Sequence, residues 1–446
     1  MSNTSPFQTI PPFGPLRRSC QGARASSAGC APVDRPLRIA LLSYRSNPYS
    51  GGQGVYIHYL SKALSRLGHR VDVIAGEPYP ELAAGVGLIP LPGMNLYGYE
   101  TIRQAIRERG LSSLTDVFEC LSYATGGFPE PYAFGRRLVR DMREQLTEYD
   151  IIHDNQSLCS SLLDLCETGL PVVTTIHHPI TRDLELALQN EPDWGMRLLI
   201  RRWHRFLSMQ KKVAAALPSI ITVSEASKRD IARDFGIKND RIEVVANGVD
   251  LETFRPDPDI QPQSWRIFSA ASADVPLKGL AVLLRAMASL GQEFPELHLA
   301  VLGKPKENGS TLRLIHELRL GQRVSFLNGL TVRELAQEYA KSSLAVIPSL
   351  YEGFGLPAAE AMACALPVVA TTGGALPEVV GDAGLLVPPG DHEALASAIR
   401  KLLLDAGLRT CLGLDGRKRM ERFFSWEACA ERTVAAYRRA MTSAHG

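Results

Sequence analysis

The chain has 446 residues, enough for two or three ordinary domains, and it is 45% hydrophobic and 22% charged, as soluble globular proteins are. Its 49 Lys and Arg residues nearly balance 47 Asp and Glu residues, and the net charge of +2 gives no sign of a nucleic-acid partner. No apolar run approaches the roughly eighteen residues of a membrane span, which excludes a protein anchored by a spanning helix.

The beginning of the chain has a composition of its own. Residues 1–35 are rich in Ser, Pro, Gly and Arg, and Asp34 is the first acidic residue. Transit peptides have a similar composition, but no clear amphipathic helix is present, so we favour a disordered leader. The eight cysteines show no paired CxxC spacing and most have apolar neighbours, which favours small core residues in a cytoplasmic protein.

A glycine-rich turn follows the first predicted strand. The apolar run 37–43 predicts that strand, and Gly51, Gly52 and Gly54 lead from it into a helix predicted over about 55–67. Such a turn at a helix start suits a phosphate, because backbone N–H groups and the positive end of the helix face it. Flexible turns after a first strand are common, so the glycines alone are weak evidence of a site.

The next segment is less regular. Residues 70–74 predict a second strand, whereas residues 77–135 mix strand and turn signals without a clear period.

Two further strands end in polar residues. The runs 149–153 and 171–176 predict strands, and they are followed by the polar run 154–156 and by His177 and His178. In an open parallel sheet the carboxyl ends of the strands face the ligand crevice, so both clusters are expected there. A histidine at a strand end is more often structural, but the pair favours a role in the site.

Residues 196–212 predict a basic amphipathic helix when they are drawn on a helical wheel. The basic side is formed by Arg197, Arg201, His204, Arg205, Lys211 and Lys212, and the apolar side by Leu199, Ile200, Trp203, Phe206 and Leu207. Such a helix can lie on an anionic membrane, and the alternative is a core-facing helix with a solvated basic face. In the first case, this helix is the candidate for a peripheral contact at the inner face of the membrane.

A second α/β unit follows a break in the pattern. Strands are predicted at 219–224 and 242–245, and the proline-containing stretch 254–264 is the predicted linker to a strand at 266–270. Lys278 lies in the loop after that strand, before a predicted helix. It can bring a positive charge to a diphosphate, although a surface lysine is the plain alternative.

The stretch 349–360, Ser-Leu-Tyr-Glu-Gly-Phe-Gly-Leu-Pro-Ala-Ala-Glu, is the most informative in the chain. A buried strand is predicted before it at 344–348, a helix is predicted over 356–365, and another strand at 367–371. Ligands of such sheets bind where the strands end and the helices begin.

The residue types in this stretch suggest a sugar nucleotide. Gly353 and Gly355 allow backbone N–H groups to approach a phosphate closely at a helix start. Glu352 and Glu360 would be poor phosphate ligands, but each can accept hydrogen bonds from neutral hydroxyls at about 1.5–3 kcal/mol per bond. A ligand with sugar, diphosphate and ribose in series fits this layout.

The Glu-x7-Glu spacing with Gly-Phe-Gly-Leu-Pro inside it resembles the signature of retaining glycosyltransferases of family 4, which have the GT-B fold. By that resemblance Glu352 contacts the donor sugar and Glu360 the nucleotide ribose, and Gly353, Phe354 and Gly355 belong to the donor site. The alternative is a helix start whose acids only complement the helix dipole.

The resemblance assigns further residues outside the signature. It implies that His177 lies near the donor sugar and Lys278 near the diphosphate, both counted as catalytic, and that Leu327 and Asn328 support the nucleotide base. The glycine loop 51–54 is then expected across the cleft, beside the donor phosphate and the acceptor.

One expected residue is missing from the pattern. Most family members have an arginine five or six residues before the lysine, and here Ser272 and Ala273 stand at those positions. The departure removes a phosphate contact and keeps two rivals open. One is a phosphorylase on the same fold, and the other is a non-catalytic partner subunit that kept the fold.

The resemblance implies two Rossmann-like domains that face a central cleft. We predict an N-terminal acceptor-side domain over 36–253, the linker 254–264, a donor-nucleotide domain over 265–422, and a C-terminal helix, 423–446, returning to the first domain. The predicted activity is retaining transfer from a nucleotide-diphosphate sugar to a small molecule, glycan or lipid. No metal and no cofactor are expected, because amides, Lys278 and the helix dipole can carry the leaving diphosphate.

Overall fold

The computed structural model describes residues 35–46 and 52–444. All but the last residue of the predicted leader, and also Gly51, therefore lie outside the described residues. From residue 36 onward the chain forms one compact unit that contains two parallel β-sheets with helices around them.

The N-terminal sheet is parallel throughout, and its central strands are buried on both faces, as is typical of parallel sheets. Its strands, in chain order, are β1 (Arg38–Ser43), β2 (Arg70–Ala75), β3 (Gly87–Pro90), β4 (Ile151–Asn155), β5 (Val172–Ile176), β6 (Ser219–Thr222) and β7 (Ile242–Val244). The spatial order is β3-β2-β1-β4-β5-β6-β7. The order reverses between β1 and β4, and a crevice opens at the carboxyl ends of strands at such a point.

Nine described helices surround this sheet. They are α1 (Gly52–Arg66), α2 (Ile102–Arg109), α3 (Leu114–Ala124), α4 (Glu130–Leu146), α5 (Ser161–Glu167), α6 (Thr181–Asn190), α7 (Trp194–Trp203), α8 (Leu207–Ala216) and α9 (Glu225–Phe235). The segment 77–135, which has no clear sequence period, contains β3, two of these helices, α2 and α3, and the beginning of α4.

The prediction of one continuous helix over 196–212 is wrong. A 3₁₀ turn at His204–Phe206 separates α7 from α8, and His204 Nδ1 lies 2.7 Å from the Ile200 carbonyl oxygen at this break. The apolar side is also divided, because Leu207 is buried whereas Leu199 is 46% exposed. Helix α7 is therefore neither core-facing nor continuous with α8.

The C-terminal sheet repeats the same plan with six described strands. They are β8 (Arg266–Ser269), β9 (His298–Leu302), β10 (Val324–Leu327), β11 (Leu344–Ile347), β12 (Val368–Thr371) and β13 (Leu385–Val387). The spatial order is β10-β9-β8-β11-β12-β13, so this sheet reverses between β8 and β11. The loops that contain Lys278 and Glu352 follow these two strands.

Seven described helices belong to this second sheet. They are α10 (Leu280–Leu290), α11 (Ser310–Glu317), α12 (Val332–Ala340), α13 (Leu356–Ala363), α14 (Leu376–Val380), α15 (His392–Leu404) and α16 (Ala406–Phe423). Helix α13 ends two residues earlier than predicted, because Ala365 has a positive φ of 54°.

The last helix, α17 (Trp426–Ala444), crosses back to the N-terminal sheet, as predicted. Trp426, Cys429 and Tyr437 pack into one apolar core with Ile57 and Leu60 of α1. Between β7 and β8 every residue is described, and 245–265 contain neither helix nor strand. The chain therefore passes between the two sheets twice, which holds their carboxyl ends opposite each other.

Candidate active site

The two sheets meet where Gly353 approaches His177. The Gly353 carbonyl oxygen accepts a hydrogen bond of 2.7 Å from Ser224 Oγ, and Ser227 Oγ lies 3.1 Å from the His177 carbonyl and 3.2 Å from that of Gly353. A Cβ atom on Gly353 would lie only 2.7 Å from the His177 carbonyl oxygen, so this approach requires glycine. The structure thus places two sequence-predicted site residues against each other.

Lys278 and Glu352 form an ion pair inside this cleft. Lys278 Nζ donates to Glu352 Oε1 at 2.7 Å, and Ser349 Oγ donates to the same oxygen at 2.7 Å. Glu352 is 9% exposed, whereas the Lys278 side chain is 29% exposed. The lysine has three donors, so it can hold Glu352 and still offer a positive charge to an anion at the mouth of the cleft.

The start of helix α13 lies directly behind this pair. Gly355 precedes the helix with a φ of 100°, a conformation that L side chains rarely adopt. The aligned peptides place a partial positive charge at this end, where an anion is stabilised. The Phe354 side chain is buried against Phe424, with ring centroids 5.8 Å apart. The aromatic ring therefore anchors the loop, and contact with a ligand at this position is left to the backbone.

Glu360 lies on α13, and a residue of α12 hydrogen-bonds one oxygen of its carboxyl group. The Tyr339 hydroxyl donates to Glu360 Oε2 at 3.0 Å. Burial raises the pKa of Glu360 to about 7, and the tyrosine hydrogen bond lowers it by less. This carboxyl group therefore changes its charge near neutral pH.

His177 is held in one orientation by its neighbours on β4. The Gln156 side chain accepts a hydrogen bond of 2.8 Å from the His177 backbone and donates to the His178 carbonyl at 3.0 Å. Asn155 Oδ1 lies 2.8 Å from His177 Nε2, and burial lowers the pKa of the imidazole to about 3. The ring is therefore neutral, with Nε2–H donating to Asn155 and Nδ1 left as an acceptor.

Not every polar residue at these strand ends faces the cleft. Asp154 is fully buried and accepts hydrogen bonds from Ser157, Leu158 and Thr174, so it fixes the turn after β4. His178 is half-exposed, and its Nε2 lies 2.9 Å from Asp183. Asn155 and Gln156 hold His177. The approach to Gly353 is made by the His177 carbonyl together with the His178 Cβ, which lies 3.0 Å from where a Cβ of Gly353 would be.

The other predicted donor residues lie further along the same edge of the C-terminal sheet. Leu327 ends β10, where its carbonyl accepts from Gly303 N at 2.7 Å, and Asn328 follows it as an exposed residue. Strand β10 is three strands away from β11 in the sheet. The structure does not bring Leu327 and Asn328 into contact with Glu352, and any ligand that reaches both must extend along the edge.

The loop in which Ser272 and Ala273 replace the family arginine is stabilised by hydrogen bonds to the Asp274 carboxylate. The Asp274 carboxylate accepts hydrogen bonds from Lys306 N, Ser310 Oγ and Thr311 N, which ties this loop to the start of α11. Ala273 and Ser272 pack near Gly303 at the end of β9. Among the described residues of this loop, Lys278 is the only cation.

The glycine turn of the N-terminal sheet lies across the cleft from α13. A Cβ atom on Gly52 would be 4.0 Å from the Leu356 side chain, and Gly54 is buried within the first turn of α1. Gln53, between them, hydrogen-bonds the Tyr44 hydroxyl beyond the end of β1. The described part of the predicted loop therefore faces the predicted donor site.

Glu378 is a residue whose role the sequence pattern does not reveal. It lies on α14 of the C-terminal sheet, yet its carboxylate accepts hydrogen bonds from Glu225 N at 2.8 Å and Ala226 N at 2.7 Å. These are the first amides of α9, a helix of the N-terminal sheet. An acid thus caps a helix of the opposite sheet, which stabilises the approach of the two sheets.

Two further features were searched for within the described ranges. No group of three or more His, Cys, Asp or Glu side chains there is arranged to hold a metal ion. None of the helices in those ranges is both long and apolar enough to cross a membrane.

Known proteins resemble both halves of the chain. Residues 50–253 match the family model described as Glycosyltransferase Family 4, and residues 252–419 match that described as Glycosyl transferases group 1. The MMP alpha-(1->4)-mannosyltransferase of Mycolicibacterium hassiacum is 43% identical, over 91% of this chain and 98% of its own. The D-inositol 3-phosphate glycosyltransferase of Kribbella flavida is 29% identical, over 92% of this chain and 97% of its own.

Solved structures agree with this picture at the level of the fold. Sucrose-phosphate synthase from Thermosynechococcus elongatus has a TM-score of 0.69 and 25% identity, over 91% of this chain and all of its own. Anabaena Alr3699/HepE, solved with UDP and glucose, has a TM-score of 0.63 and 18% identity, over 90% of this chain and 98% of its own.

Together with two parallel sheets joined by a returning C-terminal helix, these similarities define an enzyme of the glycosyltransferase class with the GT-B fold. The match to the mannosyltransferase covers 91% of this chain and supports the same family assignment. The chain belongs to the glycosyl transferases of group 1.

Proposed function

We propose that the protein is a retaining glycosyltransferase of family 4 that transfers a sugar from a nucleotide-diphosphate sugar to an acceptor hydroxyl. The observation that carries this proposal is the Lys278–Glu352 pair, which lies before the start of α13 and next to Gly353, the residue that approaches His177 of the other sheet. A buried acid, a cation and a helix N-terminus within one loop unit suit a polyol joined to a diphosphate.

Each predicted site residue then has a separate task. Glu352 accepts hydrogen bonds from hydroxyls of the donor sugar, and neutral His177 accepts one more at Nδ1. Lys278 and the positive end of α13 stabilise the negative charge that grows on the diphosphate as the glycosidic bond breaks. The ribose hydroxyls meet Glu360, and the base extends toward Leu327 and Asn328 on the same edge.

No side chain is assigned as a nucleophile. Retention follows either from double displacement, which requires a nucleophile near the anomeric carbon, or from attack on the face that the diphosphate leaves. The neutral imidazole of His177 and the paired carboxylate of Glu352 are suited to hold the sugar, and their pairing favours the second course.

Mannose is the proposed sugar. The support is the 43% identity with an alpha-(1->4)-mannosyltransferase across nearly the whole of both chains. The test is to incubate the protein with GDP-, UDP-, ADP- and dTDP-sugars and with mannosides, and to determine the new linkage by NMR. An α-linked product from an α-linked donor is expected, and a β-linked product would overturn the retaining mechanism.

Membership in the transferase family favours this function over a phosphorylase or a non-catalytic subunit. A phosphorylase would release a sugar phosphate from a disaccharide and inorganic phosphate, which the same assay detects. We further propose that the protein is cytoplasmic and has no resident metal or cofactor. The sugar nucleotide is then a co-substrate. A peripheral membrane contact through 196–212 would now depend on α7 alone, since α8 is turned into the core.

A further inference from the structure

Four polar side chains form a continuous chain inside the apolar core between the N-terminal sheet and α17. Tyr437 Oη of α17 lies 2.5 Å from His153 Nδ1, and His153 Nε2 lies 2.7 Å from Thr175 Oγ1. Thr175 Oγ1 lies in turn 3.1 Å from the Tyr56 hydroxyl of α1. Each of the four side chains is buried, with 2% exposure or less. These residues, the buried polar chain, therefore connect α17 with α1 across β4 and β5.

The buried polar chain lies on the same face of the sheet as two residues of the candidate active site. Side chains two positions apart on a strand point to the same face, so His153 and Asn155 of β4 share a face, as do Thr175 and His177 at the end of β5. In the register of these two strands, Asn155 lies beside Thr175. The polar face that begins under α17 thus continues to His177 at the cleft.

Tyr56 is the member of the buried polar chain that touches His177. The two ring centroids are 4.7 Å apart and the ring planes are at 83°, which is an edge-to-face contact. Asn155 holds one nitrogen of the imidazole. The last torsion of a histidine side chain is broad, so one hydrogen bond leaves the tilt of the ring weakly defined. Contact with Tyr56 restricts that tilt, and with it the direction in which Nδ1 points.

The simpler role for the buried polar chain is to fasten α17 to the sheet. Apolar side chains already do this along α17, where Trp426, Cys429 and Ala430 pack into the same core. A buried polar network is costly unless its members are satisfied, and when satisfied it fixes their positions more narrowly than apolar contacts do. Fastening a helix does not need such narrow placement, whereas a ring that touches His177 does.

The hydrogen bonds of the buried polar chain depend on one another. Burial lowers the pKa of His153 to about 3, so its ring is neutral and has one N–H. Of the two hydroxyls beside the ring, one must therefore donate and the other accept. Loss of the Tyr437 hydroxyl would leave one ring nitrogen without its partner and weaken the hold on Thr175. A change in α17 is thus expected to reach Tyr56.

We propose that Tyr56 is a positioning residue for His177, and that α17 holds Tyr56 in place through His153 and Thr175. The proposal rests on the proposed function, in which His177 contacts the donor sugar. The helix that returns from the C-terminal sheet then helps to shape the N-terminal side of the cleft without touching a ligand.

The first test separates positioning from stability by kinetics. Tyr56→Leu removes the ring, and we expect kcat to fall roughly tenfold with little change in the donor KM, because the C-terminal sheet still binds the donor. Tyr56→Phe keeps the ring, so a fall of about threefold is expected. Tyr59→Leu and Tyr59→Phe are the matched controls on the same helix. The Tyr59 hydroxyl donates to Asp250 at 3.0 Å and its ring stacks on Trp426 of α17, and both control variants should keep their kcat.

The second test does not use activity. The ring nitrogen signals of protein labelled with ¹⁵N-histidine report which nitrogen carries the proton, and His177→Ala identifies the signals of His177. The wild type should show one neutral form, protonated at Nε2. In Tyr56→Leu these signals should broaden or move toward the average of the two neutral forms, whereas in Tyr59→Leu they should stay. Unchanged His177 signals in Tyr56→Leu would overturn the proposal.

The third test begins at α17. Tyr437→Phe removes one buried hydroxyl, and we expect kcat to fall about threefold, as in Tyr56→Phe. The double variant should be no slower than the slower single variant. Thr433→Val is the control on the same helix, because the Thr433 hydroxyl donates to the Cys429 carbonyl at 2.8 Å, outside the buried polar chain. A Tyr437→Phe enzyme with a lower Tm and full kcat would limit the chain to a structural role and contradict the proposal.

The failure of each proposal has its own signature. If the wild type turns over no sugar nucleotide, the proposed function fails, and the His177 signals still decide the role of Tyr56. If the wild type is active and Tyr56→Leu has the same kcat, the positioning role fails and the proposed function stands.

Discussion

The two walls of the cleft are built in different ways. On the C-terminal side, backbone geometry and short-range pairs make the site, since Glu352, Ser349 and the start of α13 lie within one strand–loop–helix unit. On the N-terminal side, residues far apart in sequence converge, as when Gln156 holds the His177 backbone and Ser227 of α9 donates to the His177 carbonyl.

The difference teaches where specificity is placed. In the proposed function the diphosphate and the ribose are parts common to many donors, and a compact local unit suits them. A wall made of separate segments can change one side chain at a time, which suits the part of the ligand that differs between enzymes. Substitutions in each wall test this difference, beginning with the one that should reduce activity most.

The largest effect is expected at the ion pair of the donor wall. Glu352→Gln should lower kcat by about 10²–10³, because the group that orients the donor sugar loses its charge. Tm should change little, since Ser349 can still donate to the amide oxygen. Glu338→Gln is the control outside the site, because Lys341 donates to Glu338 over the same 2.7 Å, although Arg266 also pairs with Glu338. That control should keep its kcat, and a Glu352→Gln enzyme of full activity would refute the assigned role.

The next effect concerns the N-terminal wall at His177. Asn155→Ala should lower kcat roughly tenfold, because the imidazole loses the partner that orients it. A double-mutant cycle with His177→Ala is the measurement, and the double variant should be no slower than His177→Ala alone. Additive losses would show that Asn155 acts independently of His177. The pKa of His177 lies near 3, so its charge should not shape the pH profile between about pH 5 and 9.

A smaller effect is expected in the proton balance of donor binding. Free Glu360 has a pKa of about 7, and hydrogen bonds from ribose hydroxyls favour the ionised form. Donor binding near pH 6.5 should therefore release protons, and affinity should rise as pH rises through about 7. Calorimetry in buffers with different ionisation enthalpies measures the release. Glu360→Gln should bind the donor without it, and an equal release by that variant would exclude Glu360 as its source.

The raised pKa of Glu360 also predicts a modest effect on the free energy of unfolding. Its pKa is raised from 4.5 to about 7, so the folded chain holds this proton more tightly than the unfolded chain does. The free energy of unfolding from this group thus falls as pH rises from about 4.5 to 7. Glu360→Gln should remove that fall and raise Tm at pH 8 by roughly 2–4 °C without ligand. A lower Tm for the variant at pH 8 would contradict this sign.

The smallest effect is expected from metal removal. If Lys278 and the start of α13 carry the charge of the leaving diphosphate, transfer should be unchanged in EDTA. Initial rates before and after chelation, and after addition of Mg²⁺ or Mn²⁺, give the comparison. A loss of activity that a divalent ion restores would mean that the donor wall needs a cation beyond Lys278.

Elements made of residues that are close in sequence could be predicted, whereas contacts between residues far apart in sequence could not. The stretch around Glu352 could be placed from sequence because strand, glycine turn and helix follow one another within 28 residues, 344–371. Most strands were placed within a few residues for the same reason, whereas the return of the last helix to the first sheet was implied by the family resemblance. The ion pair of Glu130 with Arg45 gave no signal in the sequence, since it depends on how α4 packs beside β1.

Other errors have physical causes as well. A helical wheel over 196–212 assumes unbroken periodicity, and the 3₁₀ turn at 204–206 ends it. Cys411 is exposed although most of the described cysteines are buried, because α16 presents one side to solvent. The domain boundaries near 254 and 264 stay predictions.

The carboxylate of Glu378 closes the first turn of α9 from the opposite sheet. Any movement that separates the sheets at this edge breaks the hydrogen bonds between two amides and one carboxylate. All three groups then become exposed to water. Hydrogen bonds to charged groups contribute about 1.5–3 kcal/mol each, so this contact sets a threshold of a few kcal/mol for opening. Ser224 and Ser227 at the same helix start hold the Gly353 carbonyl, so separating the sheets here would also free the loop that contains Glu352.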